Sequence, residues 1–243
     1  MVLAKGGYTN QGQPIGILML ETVFPRILGD VGNAFTFDFP VRYLTVRGAN
    51  SRRVIKEADP TLLTPFIDGA KELEQSGCGA VTTSCGFLAM FQREMAAAVK
   101  IPVLTTSLLQ VPFVSSFMAP DQKIGIMTAR ASSLTEKHFD GAGMQGYNYA
   151  IQGMDEYPEF TDVFIEGKST LDVHQAEAEM VDGAHKLVKT YPEIGAIVFE
   201  CTNMPPFAHA VQKAVNLPVF DIVTMIRYAV MGLIRNPYEN RSI

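Results

Sequence analysis

Laid over itself with a constant offset of 116 residues, the chain repeats. Gly79 falls on Gly195, Ala80 on Ala196, Cys85 on Cys201 and Phe91 on Phe207. The match continues without a gap through Ala98 on Ala214, Val99 on Val215, Pro102 on Pro218 and Val103 on Val219. A second match, at a slightly different offset, places Ile15-Gly16-Ile17 over Ile124-Gly125-Ile126. So long an offset is far beyond a solenoid repeat, and each copy has to be a small domain with a core of its own. Two such copies, related by an approximate two-fold axis, face each other across a cleft.

Within each copy short apolar runs alternate with longer amphipathic ones, the rhythm of strand-helix-strand units around a parallel sheet. Strands are predicted at Ile15 to Leu20, Arg42 to Val46, Ala80 to Ser84, Val103 to Thr105, Lys123 to Thr128, Tyr147 to Gln152, Ala196 to Glu200 and Val219 to Ile222. Helices are predicted at Pro60 to Gln75, Phe87 to Val99, Ser132 to Phe139, Leu171 to Lys189, Pro206 to Val215 and Thr224 to Ile234. Asp59 before Pro60 reads as an N-cap with a first-turn proline, and Gly77 lies just past the end of that helix. The expected fold class is α/β: two pseudo-symmetric domains with parallel-type sheets and the active site in the cleft between them. The first domain is expected over residues 1–114 and the second over 115–223.

Ligands of open α/β sheets bind outside the carboxyl ends of the strands, and Cys85 and Cys201 both fall at such ends, each between an apolar strand and a helix. The repeat therefore puts one thiol on each wall of the cleft. A helix N-terminus favours thiolate over thiol, so at least one of the two is expected to ionise readily. One thiolate then takes a proton from a carbon acid, and a thiol on the opposite face returns one, inverting the centre. Either cysteine alone is more often a small buried hydrophobe; the matched positions raise both to catalytic candidates. Cys78, whose repeat position is held by Ile194, is read as structural.

Thr82, Thr83 and Ser84 on one side, and Glu200, Thr202 and Asn203 on the other, flank the thiols. Hydroxyl and amide groups beside free backbone N–H groups hold a carboxylate or an enolate oxygen, although Ser84 or Thr202 serves equally as a helix cap. Thr128 with Ser132 and Ser133 closes a strand and opens a helix, to bind an anion or to cap. Glu21, Thr22 and Arg26 follow the first strand; Arg26 either grips a substrate carboxylate or sits in an ordinary ion pair. Asp221 is a cleft residue or a cap, and His209 a surface or packed histidine.

Composition excludes more than it assigns. The net charge is −5 and no Lys/Arg cluster offsets it locally, so no nucleic-acid partner is expected. Met1 to Pro14 is polar and Gly-rich, unlike a signal peptide, and the most apolar stretch, Ile101 to Met118, is interrupted by Thr, Ser, Gln110 and Pro112. The expectation is a cytoplasmic protein without membrane contact. Three cysteines are too few for a disulfide framework, and there is no CxxC, no HExxH and no Cys/His cluster, so no metal is expected.

Phe199-Glu200-Cys201-Thr202-Asn203 resembles the second cysteine motif of the aspartate/glutamate/hydantoin racemase superfamily, usually Gly-Cys-Thr followed by Glu or His. Ile15 to Leu20, Ala80 to Cys85 and Gly125-Ile126-Met127-Thr128 fall in that family's order, so the resemblance spans about Ile15 to Arg235. It implies two pseudo-symmetric domains and no cofactor, neither pyridoxal phosphate nor metal. It also implies Cys85 and Cys201 as paired acid and base, and a homodimer or higher homo-oligomer. The C-terminal helix within 224–243 would cross back onto the first domain. Thr128, Thr202 and Asn203 inherit a substrate-holding role towards a small carboxylic acid or amino-acid derivative. Gly86-Phe87 stands where amino-acid racemases of the family have Asn-Thr, and it resembles the hydantoin racemase branch; Phe87 and Met204 make the pocket less polar. The function implied is a racemase or epimerase acting beside a carboxylate or amide carbonyl, most like aspartate/glutamate racemase. The alternatives are a hydantoin or allantoin racemase, a maleate cis-trans isomerase, or a non-catalytic protein that binds small acids.

Overall fold

The computed structural model describes residues 3, 4 and 6–235. In chain order the elements are β1 (Ile15–Leu20), β2 (Val41–Val46), α1 (Leu63–Gln75), β3 (Ala80–Thr83), α2 (Gln92–Ala98), β4 (Val103–Leu104) and α3 (Val111–Ser115). They continue with β5 (Lys123–Thr128), α4 (Glu136–Gly141), β6 (Tyr149–Gly153), α5 (Pro158–Phe164), α6 (Val173–Thr190), β7 (Ile194–Phe199), α7 (Ala208–Val215), β8 (Val219–Phe220) and α8 (Ile222–Leu233). The strands form two parallel four-stranded sheets of order β2-β1-β3-β4 and β6-β5-β7-β8. The sequence repeat is thus a repeat of topology, with β3 and β7 in matching places.

The inner strands β1, β3, β5 and β7 are buried along almost their whole length, which is why they read as continuous runs and not as alternations. The repeated Ile-Gly-Ile has a packing reason. A Cβ at Gly16 would lie 2.7 Å from a methyl of Leu73 on α1, and one at Gly125 would lie 2.9 Å from a methyl of Leu187 on α6. In each half a glycine lets the long helix settle directly on the first strand.

Each half also lends its last helix to the other. Val111 and Val114 of α3, with Leu108, share a core with Ile124 and Ile126 of β5 and Ala196 and Val198 of β7. Ile222, Met225 and Ile226 of α8 share one with Ile15 and Ile17 of β1 and Ala80 of β3. Burying each such side chain stabilises the fold by about 2 kcal/mol, so the exchange ties the halves together. The position 114/115 falls inside α3, and residues 236–243 of the expected C-terminal helix lie outside the described residues. Among the described residues no helix is long and apolar enough to cross a membrane.

Candidate active site

In each sheet the strand order reverses between the first strand and its inner neighbour, and the carboxyl end of that crevice is where a ligand fits. β3 runs out at Thr83, after which the Ser84 hydroxyl accepts the N–H of Leu20 at the end of β1 (2.9 Å). Cys85 is extended and opens a 3-10 turn, Gly86–Phe91, rather than an α-helix. The end of β7 lies against this loop. Thr202 donates to the Ser84 carbonyl (2.6 Å), Ser107 donates to the Phe199 carbonyl, and the Glu200 backbone and carboxyl pack on the α-carbon of Gly86.

Cys85 and Cys201 line one closed chamber of about 10 Å3, room for roughly one water. Ser84, Gly86 and Phe87 contribute from the first cysteine loop, Thr202 and Asn203 from the second, and Thr22, Phe24 and Arg26 from the loop after β1. Leu20, Ser51, Ile55, Ala129 and Phe164 complete the wall. Among the described residues Arg26 is the one charged side chain lining it. A wider hollow of about 300 Å3 lies outside, bordered by Glu21 and sharing Thr22, Phe24 and Ser51 with the chamber. Between the two, Phe24 from one half and Phe164 from the other meet edge to face with centroids 5.3 Å apart. The Ser51 hydroxyl donates to the Phe164 carbonyl (3.4 Å), and Lys56 pairs with Glu166 (2.6 Å) across the same seam. A ligand larger than water fits the chamber only if its walls part.

Arg26 stacks over the Phe24 ring (4.4 Å to its centroid), donates to Thr22 (2.9 Å) and pairs with Asp30 (2.9 Å). Asp30 is buried, and its other oxygen accepts the Asn203 side-chain amide (2.7 Å). That bond fixes which way the amide points, so Asn203 Oδ1 faces the Cys201 sulfur and accepts its S–H at 3.6 Å. Asp30 was not among the sequence candidates. An acid in a Gly/Asn-rich loop reads as solvated, and the only signal was its spacing of four from Arg26.

Burial pushes both thiols up, and the Glu200 charge pushes them further. This corrects the expectation of a readily formed thiolate: a 3-10 turn in a closed chamber supplies too little positive field to offset desolvation. Backbone N–H groups of Phe87 and Asn203 pull the other way on Cys85 and Cys201, and Arg26 does so on Cys85. Glu200 is fully buried and raised to about 7 by desolvation, against a hydrogen bond from Thr128 (2.7 Å) that lowers it. Its Oε1 has no partner among the described residues.

The other candidates lie away from the chamber wall. Thr83 spends its hydroxyl on the Thr105 carbonyl (2.7 Å), and Thr128 on Glu200. Ser132 is exposed and accepts from Arg130, while Glu21 accepts the N–H of Gly48 (2.7 Å) at the outer hollow. Asp221 caps α8, His209 is exposed, and Cys78 is buried two residues ahead of β3.

Gly86 is where the two halves come closest. A Cβ there would overlap the Glu200 carbonyl oxygen and its Oε1, and a backbone neighbour cannot swing aside. Gly86→Ala is expected to cost about 1–3 kcal/mol by forcing the cysteine loops apart, read as a lowered denaturation midpoint; an unchanged midpoint would mean the loops separate freely.

Residues 55–227 match the family model described as Asp/Glu/Hydantoin racemase. A dimethylsulfoniopropionate lyase from Durusdinium sp. clade D is 29% identical over 230 residues, covering 92% of this chain and 76% of that protein. Dimethylsulfoniopropionate lyase 3 from Emiliania huxleyi is 31% identical over 233 residues, again 92% of this chain but 60% of its own length. Among solved structures a glutamate racemase from Bacillus anthracis superposes with a TM-score of 0.55 at 13% identity, covering 90% of this chain and 82% of that one, a likeness of fold. The match over residues 55–227 places the chain in the Asp/Glu/hydantoin racemase family.

Proposed function

We propose that the protein is a lyase that eliminates dimethyl sulfide from dimethylsulfoniopropionate, leaving acrylate. The charge pattern of the chamber carries this reading. Among the described residues its wall holds one cation, Arg26, while Phe24, Phe87 and Phe164 supply aromatic surface; the two buried acids behind the wall have partners within the fold, Asp30 in Arg26 and Asn203 and Glu200 in Thr128. An α-ammonium group needs hydrogen-bond acceptors or a carboxylate partner; a dimethylsulfonium has no N–H to satisfy and is suited to aromatic faces, as other onium groups are. Arg26 takes the substrate carboxylate. The named activity of the relatives agrees with this pattern.

The Cys201 sulfur, as thiolate, removes a proton from the carbon next to the carboxylate. The C–H electron pair becomes the new double bond, the bond from the β-carbon to sulfur breaks, and its pair leaves on neutral dimethyl sulfide. Burial raises both thiols and Glu200 adds to each; Cys85 and Asp30 push Cys201 further up, whereas Arg26 opposes the rise at Cys85. Asn203 Oδ1 stands ready to accept the S–H that forms. Atoms and electrons balance between one thiolate and the substrate, so the step calls for no cofactor.

Purified protein given dimethylsulfoniopropionate is expected to release dimethyl sulfide and acrylate in equal amounts, read by gas chromatography and proton NMR. The paired thiols at repeat-equivalent strand ends favour a second reading, inversion at the same kind of carbon. Absence of dimethyl sulfide, with decay of optical rotation and deuterium uptake from deuterium oxide in aspartate, glutamate or a hydantoin, would put inversion in its place. Arg26→Lys keeps the charge but loses the forked donors. It is expected to raise KM about 10- to 100-fold, the worth of a charged hydrogen bond, with a smaller change in kcat; an unchanged KM removes Arg26 from carboxylate binding.

A further inference from the structure

Glu200 has no explanation in the duplicated scaffold. Its repeat-equivalent is Ser84, whose hydroxyl is spent on the Leu20 N–H. In the second half the same place holds a carboxyl that is wholly buried, folded onto Gly86 and bonded through Oε2 to Thr128, with Oε1 unpartnered among the described residues. It lies between the two cysteine loops: Gly86 follows one sulfur-bearing residue, and Glu200 precedes the other. Its charge acts on both thiols.

We propose that Glu200 is a positioning residue for protons: its free Oε1 takes up the proton of a chamber thiol, so that thiolate forms inside the closed site without exchange with solvent. In that transfer the S–H bond breaks, its electron pair stays on sulfur, and an O–H bond forms on the carboxylate. The chamber carries one negative charge before and after. That charge rests chiefly on Glu200, a stronger acid than either raised thiol, with a minor share on sulfur; desolvation makes a second buried anion far more costly. The inference rests on the two thiols being the reacting groups, as in the elimination above, and not on the identity of the substrate.

The groups that face Glu200 are few. Thr128 does so from β5 and Gly86 from the first cysteine loop, Ser107 reaches its backbone carbonyl, and its charge acts on both Cys85 and Cys201. Arg26 acts on Cys85 and Asp30 on Cys201 from the loop after β1, and His138 of α4 packs behind Phe87. Below the titration of Glu200, near 7, removal of a thiol proton releases it to solvent and thiolate rises with pH. Above it, the proton only moves from sulfur to carboxylate, and thiolate levels off.

The test is the rate of iodoacetamide alkylation of Cys85 and Cys201 against pH, by mass spectrometry, in a Cys78→Ala background. The parent is expected to rise and then level off above about pH 7. Glu200→Gln, of the same shape, is expected to keep rising about tenfold per pH unit, overtaking the parent by at least about tenfold at pH 9. Thr128→Val removes the hydrogen bond that lowers Glu200 and is expected to move the onset of the plateau upward. One shared profile for parent and Glu200→Gln, a plateau that Thr128→Val leaves in place, or thiols that react in neither protein would overturn the proposal. Alkylation needs no substrate, so a failure of the sulfonium reading shows separately, as missing dimethyl sulfide.

Discussion

Cys201→Ala is expected to lower kcat/KM for dimethylsulfoniopropionate by at least about a thousandfold, within the range that a positioned base contributes. The loss should fall on kcat, because the groups that hold the substrate, Arg26 and the aromatic wall, stay in place. Cys85→Ala is the informative companion. Elimination needs one thiolate, so this variant is expected to lose only about ten- to a hundredfold, through the altered charge around Cys201. Inversion needs a proton donor on the opposite face, and there the two variants would be equally inactive. Single-turnover rates, with circular dichroism to show that both variants are folded, separate these outcomes. Full activity in Cys201→Ala would remove the thiol base altogether.

The doubled architecture was legible because its signal is long-range and redundant. β1 and β5 have the predicted bounds, since each is a buried run cut off sharply by turn residues. Predicted helices at Pro60 and Phe87 begin instead as 3-10 turns, the first tightened onto the Asp59 side chain and the second formed after Cys85 without a side-chain cap. α3 and α5 were missed. Five and seven residues give no measurable period, and Pro112 and Pro158 sit in the first turns of their helices, where a proline marks a start and not a break. The thiol pair was readable from the repeat. The Asp30-Asn203 bond joins residues 173 apart in sequence, and the Phe24–Phe164 seam joins the two halves; no local pattern encodes either. The state of the thiols was misjudged for a related reason. Position after a strand suggests a helix dipole, but desolvation depends on how tightly the opposite half closes, and only the tertiary structure sets that.

A buried acid kept for chemistry should be visible in the stability of the fold. Glu200 titrates near 4.5 when unfolded and is raised to about 7 by burial in the native chamber. Between those values the native state holds a proton that the unfolded chain has released, so stability falls as pH rises through this window and stays lower above it. The full difference is about 3 kcal/mol at 1.36 kcal/mol per pKa unit. Glu200→Gln carries no charge at any pH. Urea denaturation is therefore expected to find the variant gaining on the parent by up to about 3 kcal/mol between pH 5 and pH 8.5, with other titrations cancelling between the two proteins. A fixed cost of rebonding Thr128 shifts both ends alike, so the change in the difference is the quantity to read. A difference that stays constant across this range would mean that Glu200 ionises as freely in the fold as in water, and the chamber would then hold no shared proton to pass between carboxylate and sulfur.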